Sequence, residues 1–197
     1  MKVTYDIYNY RDMIRVCGSL AMTAPSDHPA WQYIDLTFDD HRCTVYGANG
    51  VQIARMTVLC QTEEIPFDYH LMIRPVKPTS HTKTVELYID PSAGTYTIVF
   101  VDAEGEVLDS VTEPLCQLQP VGFDDLYKKL ESNLGVEGTG NYTIAVDPKV
   151  LLRVLEALKP YEKIIFNFAS FHQPFRVFPY DCDQDVEYMV FPMSMRS

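Results

Sequence analysis

The same order of predicted elements occurs near both ends of this chain. At the N-terminal end, residues 2–8 alternate like a half-buried strand, residues 11–22 carry apolar side chains at helical spacing, and three β-rich runs follow. Near the C-terminal end, a strand-like run at 141–146 precedes a helix that begins after Asp147 and Pro148, and three short strands follow. This repetition predicts an α+β fold built from βαβββ units.

The predicted strands leave one irregular region in the middle of the chain. Those of the two ends lie at 31–38, 43–46, 51–59, 162–168, 174–178 and 186–191, and those of the middle at 68–73, 84–89, 95–101 and 107–111. Where a second repeat would place its helix, Pro75 and Pro78 make one unfavourable. A further amphipathic helix is predicted at 123–134.

No flexible linker separates these elements, so we expect them to pack into one continuous sheet. We expect residues 1–112 to form a first domain, with one unit at 1–62 and an irregular unit at 63–112. Residues 113–197 are then a C-terminal domain or half-domain.

The composition restricts the possible partners and compartment. The net charge of −11 repels DNA unless the cations are segregated onto one surface. Five cysteines without a CxxC pair predict small buried thiols rather than a disulfide framework. The N-terminus is charged at once, and no apolar run reaches the roughly 18 residues that cross a bilayer. We therefore expect a soluble, cytoplasmic protein without membrane contact.

Three stretches together carry a resemblance to a known family. Residues 11–16, the strand at 31–38 and the hairpin TVYGANGVQIA at 44–54 form the first, residues 147–158 the second, and YMVFPM at 188–193 with Arg196 the third. They resemble, in order, a half-domain, the last helix and the terminal strand of the bacterial DNA sliding clamp, the β subunit of DNA polymerase III. The match departs at Asn49, where the family usually has aspartate, and in extra residues before Arg196. The resemblance implies clamp-like βαβββ units with helices on one face of antiparallel sheets.

The family resemblance also implies a function. It indicates a processivity factor that encircles duplex DNA as a homo-oligomer, without sequence preference, and tethers a polymerase or other proteins through their clamp-binding peptides. This chain has room for about three units, so several chains are needed for a ring, and four would restore the family's total. The alternative is a monomeric, clamp-derived peptide-binding adaptor that does not encircle DNA. Neither role requires a cofactor, a metal ion or catalysis.

The helices of the family face DNA, and several cations of this chain fit that position. Arg11 and Arg15 lie four residues apart on the first predicted helix, and Lys149 and Arg153 have the same spacing on the last, which ends at Lys159. The carboxylates gather in predicted strands, turns and loops. Basic helical faces with an acidic exterior suit a protein that encircles DNA, although the polar face of any helix also carries charge.

The family also accepts short linear peptides in an apolar groove. The resemblance assigns its lining to Tyr33, Gly50, Val51, Gln52, Ile53, Val190, Phe191, Pro192 and Met193. Apolar side chains of this kind repack around different peptides. The same residues also fit an ordinary strand core, and Gly50 fits a turn.

The sequence contains no familiar catalytic motif. A GxSxG elbow, an HExxH motif, a phosphate-binding glycine loop and a dinucleotide fingerprint are all missing. Cys60 with His70 is the candidate for a hydrolytic pair assembled by folding. The acidic run at 181–185 lacks the glycine and distal glutamate of a calcium loop. We therefore predict a binding protein, with an unrelated hydrolase as the remaining alternative.

Overall fold

Two antiparallel sheets and the helices packed against them make up the computed structural model of this chain. It describes residues 1–118, 122, 123, 125, 126, 128, 129, 145–168, 173–180 and 185–193. The strands are β1 (Lys2–Asp6), β2 (Ile34–Asp39), β3 (Arg42–Ala48), β4 (Gln52–Leu59), β5 (Gln61–Glu63), β6 (Tyr69–Ile73), β7 (Thr84–Asp90), β8 (Thr95–Val101), β9 (Val107–Pro114), β10 (Ile164–Asn167), β11 (Phe175–Pro179) and β12 (Val186–Val190). The helices are α1 (Ile7–Met13), a π-helix (Ile14–Gly18), α2 (Ser19–Ala21), a 3₁₀-helix (Pro29–Gln32) and α3 (Pro148–Leu158). The predicted α+β class is confirmed.

The strands form two sheets rather than the single continuous sheet that the sequence led us to expect. One has the order β5-β1-β7-β8-β9, and the other has the order β10-β11-β12-β4-β3-β2-β6. The expectation is wrong because strands distant in sequence exchange partners between the sheets: β1 pairs with β7, and β6 pairs with β2. The C-terminal strands then extend the second sheet, since β12 pairs with β4.

The first helix, formed by α1, the π-helix and α2 without a break, begins four residues earlier than the sequence pattern predicts. Asp6 caps it, because its carboxylate accepts a hydrogen bond of 2.8 Å from the backbone N–H of Tyr8. The π-turn lies very close to β3. A Cβ atom at Gly47 would lie 2.8 Å from the carbonyl carbon of Cys17 and still closer to its oxygen, so glycine allows this approach. The Tyr188 hydroxyl, from β12, donates to the Val16 carbonyl at 3.2 Å.

Other differences from the sequence prediction are local. Residues 31 and 32 lie in the 3₁₀-helix rather than in a strand, because Pro29 begins a helical turn before β2. Residues 74–79 form no helix, as the two prolines predict. The predicted strand at 141–146 lies outside the described residues except for Ala145 and Val146, which are not in a strand. Of the helix predicted at 123–134, the described residues up to 129 are helical.

The core has two parts of unequal size, one on each face of the seven-stranded sheet. The large cluster lies on the face covered by the helices and includes Val16, Leu36, Val154 and Val177. A small cluster lies on the opposite face, which we call the outer face. Tyr46, Ala48, Ile53, Phe123 and Met189 form it, with Trp31 and Phe191 packed against them.

The cysteines follow the sequence prediction where they are described. Cys17, Cys43 and Cys60 are buried free thiols and Cys116 is a partly buried one, whereas Cys182 lies outside the described residues. Burial raises the pKa of the Cys60 thiol to about 12. No helix in the described part of the chain is long and apolar enough to span a membrane.

Candidate functional site

A basic cleft lies between the first helix and α3. Its cavity volume is about 630 Å³. The lining residues are Arg11, Ile14, Arg15, Ser19, Met22, Thr23, Lys77, Pro78, Arg153, Glu156 and Ala157. Four of them are cations, and Glu156 is the one carboxylate among them. The folding of two distant helices therefore concentrates positive charge in an acidic chain.

Three of the five cations that the sequence predicts to face DNA line this basic cleft. Arg11 and Arg153 are exposed. Arg15 is half-buried, forms an ion pair of 2.7 Å with Asp12, and lies over the ring of Tyr161 at 5.7 Å from its centroid. Arg11 and Arg153 therefore present their charge to solvent, whereas Asp12 offsets part of the Arg15 charge.

The other two predicted cations do not line the cleft. Lys149 is exposed in the first turn of α3, where the Asp147 carboxylate accepts a hydrogen bond from its backbone N–H at 2.8 Å. Lys159 is exposed at the C-terminal end of that helix, where a cation is favoured by the helix dipole. Lys77 lines the cleft but was not predicted from the sequence. Its position between two prolines gave no helical spacing that would relate it to the other cations.

The predicted peptide groove corresponds in part to the small cluster on the outer face. Ile53 and Phe191 belong to that cluster. The backbone N–H of Phe191 donates to the Val51 carbonyl at 3.2 Å, which brings the hairpin and the terminal strand together. Gly50 has a φ of +90° and lies against the Trp31 ring, which would be 2.8 Å from a Cβ atom at this position. The side chains of Val51 and Met193 are exposed, and Pro192 is partly buried.

Three residues predicted for the groove have other surroundings. Gln52 is fully buried and donates from Nε2 to the Val150 carbonyl at 3.0 Å, so its side chain lies on the helix face. Val190 belongs to the large core cluster on that same face. Tyr33 accepts a hydrogen bond of 3.4 Å from Nε of Arg74, at the edge of the sheet. The alternation of side chains along a strand explains the placement of Gln52 and Val190.

Phe123 is a buried member of the small cluster on the outer face, and the sequence did not predict it as a site residue. Its side chain is 1% exposed. The ring stacks on Tyr46 with a centroid distance of 6.2 Å and an interplanar angle of 18°. Phe123 lies in the chain between β9 and α3, far in sequence from Tyr46 of β3. The contact between the two rings therefore arises from tertiary packing. Trp31, Tyr46, Ala48 and Met189 complete the set that sequence spacing did not reveal.

A buried carboxylate lies on the same outer face. Asp35 is paired with Tyr46 across β2 and β3 and is 5% exposed. Burial raises the pKa of this carboxyl from 3.8 to about 6, and His70 partly opposes the shift. Its Oδ1 has no hydrogen-bond partner among the described residues.

The structure does not assemble the hydrolytic pair considered from the sequence. The His70 ring lies 3.1 Å from the Thr37 hydroxyl and 3.5 Å from the Asp68 carboxylate. The buried Cys60 thiol, with its pKa near 12, is not a ready nucleophile. No group of metal-ligating side chains occurs in the described ranges. The acidic run considered as a cation site lies outside them except for Asp185.

Solved structures with the same fold are DNA sliding clamps. The match to the DNA polymerase III beta chain of Streptococcus pneumoniae has a TM-score of 0.72 at 14% identity and covers 99% of this chain and 65% of that chain. A sliding clamp of Pseudomonas aeruginosa with ligand matches at a TM-score of 0.70 and 14% identity, covering 98% and 66%. A third, a P. aeruginosa clamp bound to griselimycin, matches at 0.66 and 12% identity, covering 98% and 65%.

These matches define the class of protein at the level of fold. The chain has the fold of the DNA sliding clamps, which confirms the resemblance read from the sequence. It spans about two thirds of the length of the clamp chains. No family model and no curated protein matches the sequence.

Proposed function

We propose that this chain is a clamp-like processivity factor of the cytoplasm. It assembles into an oligomer around duplex DNA and tethers a DNA polymerase or other partner proteins. The convergence of Arg11, Arg15 and Arg153 on one cleft, in a chain with the clamp fold, carries this proposal. In a molecule of net charge −11, the basic cleft offers DNA a favourable approach. The role depends on binding and requires no catalytic group or cofactor.

Topological linkage is the property that distinguishes encirclement from ordinary DNA binding. Protein would be mixed with nicked circular DNA or with the same DNA linearised, and then passed through a sizing column at moderate salt. A closed oligomer stays on the circle and slides off free ends, so retention on the circle should exceed retention on the linear form. Equal retention on both forms would contradict encirclement.

The role of the basic cleft is tested by reversing one of its charges. Arg153→Glu should weaken DNA binding at low salt and reduce the salt dependence by about one phosphate contact, a change of about 0.9 in the slope of log K against log salt. The matched control is Arg42→Glu, which reverses an exposed charge at the start of β3, away from the cleft. Equal effects of the two substitutions would attribute binding to net charge alone.

The second part of the proposal, the tethering of partner proteins, concerns the small cluster on the outer face. Because the buried Phe123 ring stacks on Tyr46 and fills this cluster, a peptide side chain that enters the cluster must displace that ring. Griselimycin, the ligand of one matched clamp, serves as the probe. Phe123→Ala should raise the affinity for griselimycin at least about tenfold. The control Val107→Ala, which shortens an exposed side chain on β9, should leave it unchanged. Weaker binding by Phe123→Ala would mean that the Phe123 ring supports the binding surface instead of occupying it.

The second candidate is a monomeric peptide-binding adaptor that does not encircle DNA. The acidic net charge and the lack of a helix at residues 74–79 favour it. Griselimycin binding by a strict monomer that is not retained on circular DNA would establish this alternative.

A further inference from the structure

Two buried side-chain amides lie at the hairpin that connects β3 to β4. Asn49 is 5% exposed and Gln52 is fully buried. Nδ2 of Asn49 donates to Oε1 of Gln52 at 3.2 Å, and Nε2 of Gln52 donates to the Val150 carbonyl at 3.0 Å. We call this pair of side chains the amide relay. Because a buried amide without partners is costly, these hydrogen bonds hold the two side chains in one arrangement.

The amide relay is hydrogen-bonded to both helical walls of the basic cleft. At one end, Nδ2 of Asn49 also donates to the Thr23 hydroxyl at 3.3 Å, and Thr23 lines the cleft. That hydroxyl donates to the Leu20 carbonyl at 3.0 Å, at the end of the first helix. At the other end, Val150 belongs to α3 and lies three residues before Arg153. The chain of hydrogen bonds therefore ties both helices to the same point of the sheet.

Backbone groups at the two ends of the amide relay set the direction of its hydrogen bonds. The N–H groups of Val51 and Gln52 can only donate, and they bond to Oδ1 of Asn49 at 3.3 and 3.0 Å. The Val150 carbonyl can only accept, so it requires Nε2 of Gln52 on the opposite side. Nδ2 of Asn49 and Oε1 of Gln52 then face each other as donor and acceptor. A carboxylate at either position has no donor and would place two acceptors against each other.

We propose that Asn49 and Gln52 are positioning residues for the basic cleft. The amide relay sets the separation of the first helix and α3, and thereby the distance between the charges of Arg11 and Arg153. Because duplex DNA presents its phosphates at a fixed spacing, a change in this distance weakens binding although no cation is removed. Neither amide is among the residues that line the cleft. This inference deepens the proposed function and rests on it for the effect on DNA.

The amide relay itself is tested without DNA, by NMR of the isotope-labelled full chain at about pH 8, where a carboxyl group is ionised. In the wild type, Nε2 of Gln52 should show a scalar coupling through its hydrogen bond to the Val150 carbonyl. Asn49→Asp changes no atom of Gln52 or of α3, but it removes the donor that faces Oε1. The Gln52 amide should then turn over toward the carboxylate and lose its coupling to Val150. A coupling that persists in this variant would overturn the relay, because the two hydrogen bonds would be independent.

The effect on the basic cleft is measured as the affinity for a short DNA duplex at low salt. Gln52→Met nearly keeps the side-chain volume but removes both side-chain hydrogen bonds of residue 52. It should lower the affinity roughly threefold to thirtyfold. Val58→Ala is the matched control, because it removes buried apolar atoms from the same strand and touches neither amide. Its DNA affinity should equal that of the wild type, and circular dichroism would verify that both variants are folded.

A double-mutant cycle separates positioning from a general effect on stability. If Gln52 acts through the position of Arg153, Gln52→Met should lower the DNA affinity much less in an Arg153→Ala protein than in the wild type. Equal effects in both backgrounds, or an equal loss in Val58→Ala, would assign the amides to stability alone and overturn the proposal. If the wild type shows the coupling between Gln52 and Val150 but binds no DNA, the proposed clamp function fails while the amide relay stands.

Discussion

The two faces of the seven-stranded sheet show different ways of using one scaffold. The helix face holds the large core, and its helices bring Arg11, Arg15 and Arg153 to the basic cleft. The outer face has only a small cluster that includes Phe123 and a buried carboxylate, Asp35. Close packing on the helix face fixes the positions of charges. The outer face buries far fewer apolar side chains, so the predicted sensitivity to substitution differs between the faces.

The largest effect is expected where the helix face is most tightly packed. Gly47→Ala would place a Cβ atom 2.8 Å from the Cys17 carbonyl carbon, and neither strand nor helix can yield at low cost. We expect a loss of about 3 kcal/mol in the free energy of unfolding, measured by urea denaturation. Gly94→Ala is the control, because a Cβ atom there would have no neighbour within 4 Å and only the φ of +66° opposes alanine. Its cost should be about 1 kcal/mol. Equal losses of unfolding free energy in the two variants would mean that the close contact of Gly47 with Cys17 does not determine the cost.

The next largest effect on the free energy of unfolding is expected on the outer face, where the substitution should stabilise the protein. The folded-state pKa of Asp35, about 6, lies above its ordinary value of 3.8. Between these values the folded state binds more protons than the unfolded state, so this carboxyl lowers stability as pH rises from about 4 to about 6. Asp35→Asn should therefore be more stable than the wild type at pH 7 by roughly 2 to 3 kcal/mol, and the difference should vanish below pH 4.

A second carboxylate provides the control for the Asp35 substitution. Hydrogen bonds from Ser92 and the backbone N–H of Ala93 lower the pKa of the exposed Asp90. Asp90→Asn should therefore destabilise the protein at neutral pH, and its effect should disappear in acid. Thermal unfolding across pH measures both variants. Parallel pH profiles for the two variants would mean that burial does not determine the pKa of the Asp35 carboxyl.

The smallest effect is expected at the N-terminal end of α3. Asp147→Ala removes the carboxylate that accepts from the Lys149 N–H at 2.8 Å. The loss of this N-cap should lower the free energy of unfolding by about 1 kcal/mol. Asp147→Asn, which keeps a side-chain acceptor, should restore most of the stability. A loss as large as that of Gly47→Ala would show that the helix terminus is as constrained as the contact between the π-turn and β3.

The sequence alone predicted those helices and strands whose signals come from residues close together along the chain. Asp147 and Pro148 marked the start of α3, and the helical spacing of Val150, Val154 and Leu158 marked its buried face. The three-residue β5 was missed because it is too short for a period to be visible. The pairing of β1 with β7 could not be predicted, since the edges that meet depend on the whole fold.

The candidate site was also predicted only where its residues belong to a regular element. Arg11 and Arg153 were found because a regular helix relates spacing to direction. Lys77 was missed because its segment has no such period, and its side chain reaches the cleft only through packing against the first helix. Gln52 was included in the predicted groove because the hairpin was compared as a unit, whereas successive residues of a strand point to opposite faces and the Gln52 side chain lies on the helix face.

The pairing of β12 with β4 has a consequence for folding during synthesis. Val186 lies opposite Met56 and Tyr188 opposite Ala54, so each pair joins residues more than a hundred positions apart. The ribosome makes the first two units well before β12 emerges. Until then the edge of β4 is a template for any strand of a neighbouring chain, which makes this stage of biogenesis prone to misassembly. Slow closure by a non-local strand is expected to limit the folding rate.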